Sequence, residues 1–270
     1  MLLHTRGRIR GPVPRELATP AFVLRTRPYG ESDRIVTLMT EQHGKVTGIA
    51  KGAKNSRRRF AGTLEPFVRI LAVFRQRSTS DLVFLLRCEL LGVWHTFTRD
   101  LDRFAAGSYV LELTDRMVFG REPGREVYHL VHDALALLDD GTPIEPILRA
   151  FELHLLAATG YAPGLTRCRS CGAVPGETGV LYLTVERGGL VCRACVRADE
   201  PVRPLAGATI RELARLAASP LADAACGADP RALRDAASVA EQLIGAVASG
   251  PLHARELIAR ARVDSPRGVR

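Results

Sequence analysis

The 270-residue sequence lacks any apolar stretch that approaches the ~20 residues needed to cross a bilayer. Residues 1–20 also lack the apolar segment of a secretory signal, and arginines and prolines punctuate them, so we interpret them as a loose basic extension. We therefore expect a cytoplasmic protein without a membrane partner. With 46% hydrophobic and 25% charged residues, the composition is that of a globular protein, and the length allows two modest domains or one domain plus an inserted module.

Motifs for nucleotide chemistry and catalysis are also missing. The sequence has no Gly-x4-Gly-Lys-Ser/Thr loop and no Gly-x-Gly-x-x-Gly after a predicted strand. The deaminase signature requires a proline directly before a Cys-x-x-Cys pair, and neither pair in this sequence has one. Glu126, His129 and His132 have helical spacing, but a di-iron site needs a second such motif, so we interpret them as a solvated helix face. These absences predict a binding protein rather than an enzyme.

Acidic residues are scarce in one stretch of an already basic chain. The chain has 38 Lys and Arg against 29 Asp and Glu, a net charge of +9 that favours a polyanionic partner. No Asp or Glu lies between Glu41 and Glu65. The basic residues of this stretch that we expect to neutralise phosphate are Lys45, Lys51, Lys54, Arg57, Arg58 and Arg59. The alternative interpretation is a solvated loop without a ligand.

Other side chains could extend this basic surface. Arg69, Arg75 and Arg77 follow on the next predicted strand, and Tyr29 and Phe60 offer rings on which unpaired bases could stack. A phenylalanine in such a position, however, more often packs into a barrel wall.

Five short β-branched runs fill the first third of the chain. They cover residues 22–27, 33–40, 45–50, 67–74 and 82–88, and Tyr29-Gly30 and His43-Gly44 mark turns between them. Five strands in so short a stretch predict a small closed barrel. We favour an OB-fold over residues 21–96, with an SH3-like barrel as the alternative.

The hydrophobic period then becomes helical. Apolar residues recur at three and four positions through 101–118, 127–138 and 144–156, and Gly160 is placed to end the third helix. Thr209 is a candidate cap for a later helix, and further helical patterns cover 230–248 and 252–262. We predict an α+β multidomain protein, with one helical domain over 97–163 and 204–262 and an inserted module at 164–203.

Four of the six cysteines form two Cys-x-x-Cys hooks with zinc-site spacing. Cys168, Cys171, Cys192 and Cys195 are expected to hold one structural Zn²⁺ with no open coordination position. Gly172 suits the tight turn after the first hook, and residues 180–191 suggest a β-hairpin, so the module looks like a zinc ribbon. Two disulfides or free thiols are the alternatives. The default interpretation of Cys88 and Cys226 is that both are buried structural thiols.

Two stretches resemble a known family. Residues 27–40, His43-Gly44-Lys45, Lys51-Gly52-Ala53-Lys54 and Arg57-Arg58 resemble the amino-terminal domain of the RecO family of bacterial recombination-repair mediators. Residues 160–172 resemble that family's entry into its zinc module, so the resemblance spans residues 21 to about 250.

The resemblance implies binding of single- and double-stranded DNA, annealing of complementary strands, and partnership with RecR. It further implies help in loading RecA onto DNA coated by single-strand-binding protein, itself a possible partner, without ATP use by the chain. Not all members of the family keep the four cysteines, so zinc is not essential to the shared activity. The alternatives are a zinc-containing enzyme acting on nucleic acid and a zinc-ribbon adaptor that binds protein in transcription.

Overall fold

The computed structural model describes residues 16–76, 82–120, 124–174 and 181–264, without the side chains of 262–264. Arg77, Val180 and residues 1–15 of the predicted extension lie outside these ranges. The described chain is an α+β protein: five strands first, then helices, with a small three-stranded sheet between the third and fourth α-helices. This is the predicted fold class.

The five strands close into a barrel. They are β1 (Glu16–Tyr29), β2 (Asp33–Thr40), β3 (Gly44–Ala50), β4 (Val68–Arg75) and β5 (Val83–Val93). Their order is β1-β2-β3-β5-β4, with β4 returning to β1. The β3–β5 pair is parallel and the other pairs are antiparallel. This arrangement is the OB-fold, which we favoured over an SH3-like barrel.

The first strand begins at Glu16, so residues 16–20 belong to the barrel and not to the extension that we predicted. Residues 16–20 pair with β4 alone, whereas pairing with β2 begins at Ala21. A strand that is paired on one side only tolerates Pro20, which cannot donate a hydrogen bond to a second neighbour. The prolines and arginines concealed this strand from pattern analysis.

The two faces of β1 and β2 serve two different cores. Val23 and Leu38 point into the barrel, where they pack with residues such as Phe74. Phe22 and Met39, one position along each strand, belong instead to the core of the helical unit. Side chains alternate between faces along a strand, so the helices cover the outside of the barrel here.

In the described part of the chain, six α-helices follow the barrel. They are α1 (Leu101–Met117), α2 (Gly124–Asp139), α3 (Ile144–Ala158), α4 (Gly207–Ala218), α5 (Pro230–Val247) and α6 (Ala254–Asp264). Gly160 has φ +86°, and the Tyr161 N–H donates to the Leu156 carbonyl at 2.7 Å. This is a Schellman ending, as predicted for Gly160.

Thr209 does not cap α4, contrary to our prediction. The cap residue is Ala206, and Thr209 lies within the first turn. Its hydroxyl donates to Asp235 Oδ2 at 3.2 Å, so it ties α4 to α5.

The two cysteines outside the hooks differ in burial. Cys226 is exposed, contrary to our prediction, whereas Cys88 is buried as expected. Burial raises the pKa of the Cys88 thiol to about 12, which keeps it protonated and inert.

The inserted sheet contains β6 (Leu181–Thr184), β7 (Gly189–Cys192) and β8 (Arg203–Leu205), in the order β7-β6-β8. β6 and β7 form the predicted hairpin. Leu183, Leu190 and Val191 are buried in the same core as the helices. The ribbon therefore shares its apolar support with the helical unit.

Candidate nucleic-acid interface and metal centre

The basic loop, residues 51–59, leaves the barrel at the end of β3. Gly52 adopts φ +64°, and Ala53–Asn55 form a single 3-10 turn whose Ala53 side chain is buried. A non-glycine residue at position 52 would be strained at this φ. The loop therefore has a defined backbone with one inward anchor.

Hydrogen bonds fix the basic loop to the neighbouring β1–β2 turn and to β5. Asp33 Oδ1 accepts from the Gly52 N–H at 2.8 Å, and this bond lowers the pKa of that carboxyl. Lys54 Nζ donates to the Gly30 and Glu31 carbonyls, both at 2.9 Å. The Cys88 N–H of β5 donates to the Arg59 carbonyl at 2.8 Å. The loop is thus held on two sides.

The basic side chains of the loop divide into holders and free cations. Lys54 is a holder, and so is Arg59, whose guanidinium donates to the Lys51 carbonyl at 2.8 Å. Arg57 and Arg58 are exposed and make no hydrogen bond or ion pair with any described residue. Lys51 is exposed, and its ammonium lies 5.7 Å from the Phe84 ring centre. Three cations of the loop are therefore free to meet an anion.

Lys45 does not belong with these cations, contrary to our prediction. Its Nζ lies 3.0 Å from Asp115 Oδ1 and donates to the carbonyls of Val118, at 2.9 Å, and Asp115. The Lys45 side chain is only 19% exposed. Its ammonium donates to two carbonyls at the end of α1 and lies against a buried carboxylate, so its charge is already used within the protein.

Replacing Lys45 by methionine is expected to lower the free energy of unfolding by about 2–3 kcal/mol, because Asp115 and the end of α1 lose a buried cation. Affinity for DNA should change less than about twofold, as the removed charge faces protein. Arg25→Met is the matched control: Arg25 also reaches Asp115, at 3.3 Å, but is half exposed, so we expect a loss below about 1 kcal/mol. Urea unfolding of both variants measures this. Equal losses of unfolding free energy in the two variants would contradict the assignment of Lys45 as the main buried partner of Asp115.

The aromatic residues and arginines that we considered as extensions of the basic loop also differ in their surroundings. Phe60 is 4% exposed and packs in the barrel core, so it cannot stack on bases, whereas Tyr29 is 53% exposed beside the β1–β2 turn. Arg69 Nη1 lies 3.4 Å from His132 Nε2, at the contact between barrel and helices. Arg75 pairs with Glu16 at 2.8 Å. Neither arginine extends the basic loop.

Sequence analysis missed two basic residues near the loop. Arg25 and Arg34, with Lys54, line a cleft of about 440 Å³ beside the β1–β2 turn. Arg34 Nη1 lies 3.3 Å from Glu65 Oε1, and this exposed ion pair partly offsets the charge of Arg34 in the cleft. Isolated arginines on separate strands give no run in the sequence, and only the pairing of β1 with β2 brings them together.

The predicted solvated face of α2 is exposed at Glu126 and His129, and its edge contacts the barrel. Glu126 is exposed, but His129 Nε2 lies 3.7 Å from Glu41 Oε1. The His132 ring packs edge-on against Trp94, with 5.9 Å between centres. The spacing does put the two histidines on one face, where the His129 side chain stays 52% exposed and that of His132 is half-buried.

The four hook cysteines converge. Their sulphur atoms all lie within 4.8 Å of one another, and among the residues that the structure describes they are the one such group placed to hold a metal ion. Cys171 Sγ and Cys192 Sγ are 3.7 Å apart. Sulphurs bound to zinc at about 2.3 Å in a tetrahedron would be about 3.8 Å apart, whereas a disulfide needs about 2.05 Å. All six cysteines are free in this structure, and the spacing of the hook sulphurs fits zinc rather than a disulfide.

Backbone groups support these thiols. Burial raises the pKa of Cys168, but N–H groups of Cys171, Cys192 and Ser170 point at its sulphur and lower the pKa to about 6. Gly172 adopts φ +75°, as predicted for the turn that closes the first hook. A thiolate stabilised by N–H groups is already in the protonation state that binds a metal ion.

A buried ion pair fastens the second hook to the hairpin. Arg187 donates to Glu200 Oε2 at 2.5 Å and to the Cys195 carbonyl at 3.1 Å. Thr184 Oγ1 donates to the other oxygen of Glu200 at 2.6 Å, and this bond is the main reason why the pKa of Glu200 is lowered. Gly189 approaches the Gly164 backbone so closely that a Cβ there would lie 2.5 Å from the Gly164 carbonyl oxygen. The ribbon is therefore well braced around the sulphurs.

In the described part of the chain, no helix is both long and apolar enough to pass through a bilayer.

Comparison with known proteins gives a consistent result. The family model "Recombination protein O N terminal" matches residues 15–94, and "Recombination protein O C terminal" matches residues 98–256. The DNA repair protein RecO of Anaeromyxobacter sp. (strain K) is 42% identical over 203 residues, which cover 75% of this chain and 80% of the relative. The DNA repair protein RecO of Geobacter metallireducens is 35% identical over 254 residues, or 91% of this chain and 98% of the relative. The chain therefore belongs to the RecO family of DNA repair proteins.

Proposed function

We propose that this chain is a non-enzymatic mediator of recombinational repair that binds single- and double-stranded DNA and anneals complementary strands. With RecR, it would assist the loading of RecA onto DNA coated by single-strand-binding protein. Family membership supports the repair role. The observation that carries DNA binding is the basic loop, with Lys51, Arg57 and Arg58 exposed on a fixed backbone that has no acidic side chain of its own.

The fold directs where DNA would lie. OB-folds bind oligonucleotides with the face of strands 2 and 3 and the adjoining loops. Met39, near the far end of β2, is buried by the helical unit, and Lys45, its partner on β3, is bound to α1. The opposite end of these strands carries the β1–β2 turn, Tyr29 and the basic loop. A strand of DNA would therefore follow this end.

The side chains at this end suit an unpaired strand. Tyr29 offers an exposed ring for stacking, and the three free cations would neutralise phosphates. Arg25 and Arg34 would continue the positive path through the adjacent cleft. Phosphate contacts position DNA without reading its sequence, which agrees with annealing of any complementary pair.

Zinc would have a structural role in this proposal. Cys168, Cys171, Cys192 and Cys195 would supply four thiolates and leave no position for water or substrate. The metal would hold the two hooks together, and the chain's own backbone N–H groups would stabilise the thiolate form of Cys168.

Equilibrium binding of a labelled single-stranded oligonucleotide across a salt series tests the proposal. The loop variant Lys51→Ala/Arg57→Ala/Arg58→Ala keeps the holders Lys54 and Arg59. Three lost phosphate contacts predict a log–log salt slope shallower by about 2 and an affinity about 100-fold lower at 0.1 M salt. The control Arg211→Ala/Arg231→Ala/Arg260→Ala removes the same charge from exposed helix positions and should bind like the wild type.

Equal losses in the loop and control variants would mean that only net charge matters, and would overturn the assigned interface. No binding by the wild type would overturn the DNA-binding function itself and favour a protein adaptor. Multiple-turnover conversion of the oligonucleotide would contradict the non-enzymatic assignment.

A further inference from the structure

The zinc ribbon carries a second group of exposed arginines. Arg167 and Arg169 flank Cys168 at the first hook, and Arg193 and Arg197 lie beside Cys192 and Cys195 at the second. All four are exposed. Because the sulphurs of the two hooks meet at one centre, the residues beside these cysteines lie close together in space. We call these four residues the knuckle surface.

Three of these arginines have no role in holding the ribbon together. The side chains of Arg167, Arg193 and Arg197 make no hydrogen bond or ion pair with any described residue. Arg169 differs, because its Nε donates to the Arg187 carbonyl at 3.2 Å. The knuckle surface thus has one holder and three free cations, whereas the basic loop has two holders and three free cations.

Asp199 and Glu200 follow the knuckle surface in the chain, and Arg197 helps to lower the pKa of the Glu200 carboxyl, so the charge of this surface is partly offset there. Residues 165–174 and 192–198 contain four arginines and no Asp or Glu. The nearby Glu200 carboxylate is buried and accepts from Arg187 and Thr184. Backbone N–H groups, and not arginines, donate to Cys168 Sγ. These arginines are therefore neither paired with carboxylates nor hydrogen-bonded to that sulphur.

We propose that the knuckle surface is a second phosphate-binding site, which takes the backbone of a second DNA strand while the basic loop holds the first. The inference rests on the proposed DNA-binding function and adds a location for the second strand. Guanidinium groups suit phosphate because they donate two parallel hydrogen bonds to it. The convergence of both hooks on one cysteine cluster holds the backbone segments that carry the four side chains next to each other.

The arrangement has a consequence for annealing. A strand bound at the knuckle surface is tethered, through the helical core, to a strand bound at the basic loop, so the encounter of the two becomes intramolecular. Two separate sites on one chain also avoid placing both phosphate backbones on one patch, where they would repel each other. Capture of a second strand should then depend on the knuckle surface, and capture of the first should not.

A bridging assay with the full chain tests this. One biotinylated oligonucleotide is immobilised and saturated with protein, and capture of a labelled non-complementary oligonucleotide is measured across a salt series. The knuckle variant Arg167→Ala/Arg193→Ala/Arg197→Ala spares Arg169. We expect at least tenfold weaker second-strand capture, a salt slope shallower by about 2, and first-strand affinity within about twofold of the wild type.

The helix control variant Arg211→Ala/Arg231→Ala/Arg260→Ala should capture the second strand like the wild type. Zinc content and thermal melting of the knuckle variant should be unchanged, since its side chains brace nothing. Wild-type capture by the knuckle variant, or equal loss in the control, would overturn the inference. A wild type that binds a first strand but captures no second would also overturn it while leaving the proposed function standing. A wild type that binds no strand would fail the proposed function itself.

Discussion

Replacing Cys192 by serine is expected to release bound zinc and to lower the melting temperature by about 10 °C or more. Structural zinc sites supply roughly 10–16 kcal/mol of apparent binding free energy, and a serine cannot complete four thiolates. Cys192 is 4% exposed and its N–H donates to Cys168 Sγ at 3.4 Å, so the change falls at the centre of the cluster. Calorimetry with parallel zinc determination measures both effects.

The loss should not stay within the ribbon. Leu183, Leu190 and Val191 pack in the same core as α3 and α5, so unfolding of the hairpin removes apolar contacts from the helices as well. The basic loop lies over the separate barrel core, which contains Phe60. Below the melting temperature of the variant, affinity for a single strand should therefore stay within about twofold of the wild type.

Cys226→Ser is the matched control, since Cys226 is exposed and lies outside the cluster, and its melt should be unchanged. A strong chelator should lower the melting temperature of the wild type to that of Cys192→Ser. The same chelator should not lower the melting temperature of Cys192→Ser any further. Zinc loss with an unchanged melt would show that the metal does not hold the hooks, and would contradict the structural role.

Features encoded by neighbouring residues were predictable from the sequence. The two hooks carry their own spacing, and Gly172 and Gly160 adopt the positive φ expected of them because a tight turn and a helix end require it locally. The same holds for the β-branched runs that predicted five strands. Where the strand broke the local pattern, as at Pro20, prediction failed, because pairing on one side alone makes the proline harmless.

Roles decided by distant residues were not predictable. Lys45 looks like its basic neighbours in the sequence, but the end of α1, 70 residues later, accepts its protons. Phe60 and Tyr29 are both aromatic residues near the basic run, yet only the closed barrel shows that one is buried and the other exposed. The free cations and the holders of the loop likewise differ only in which carbonyls lie within their reach.

The second large effect is expected in the helical core, at the buried ion pair of Arg149 and Glu152. Their side chains are 10% and 2% exposed, and Arg149 Nη2 donates to Glu152 Oε1 at 2.8 Å. The Tyr109 hydroxyl donates to the same oxygen at 2.6 Å. Glu152→Ala should lower the free energy of unfolding by about 3–5 kcal/mol, because the guanidinium stays buried without its main acceptor.

A double variant separates the effect of an unpaired buried charge from the effect of lost side-chain volume. Arg149→Met/Glu152→Met replaces both charges by apolar side chains and should regain most of the stability lost in Glu152→Ala, since no buried charge is left unpaired. Glu241→Ala is the control for an exposed pair: Glu241 is 64% exposed and lies 2.9 Å from Arg255, so its loss should stay below about 1 kcal/mol. Urea unfolding measures all three variants. If the double variant is less stable than Glu152→Ala, the ion pair itself supports the core, and the unpaired guanidinium is not the source of the loss.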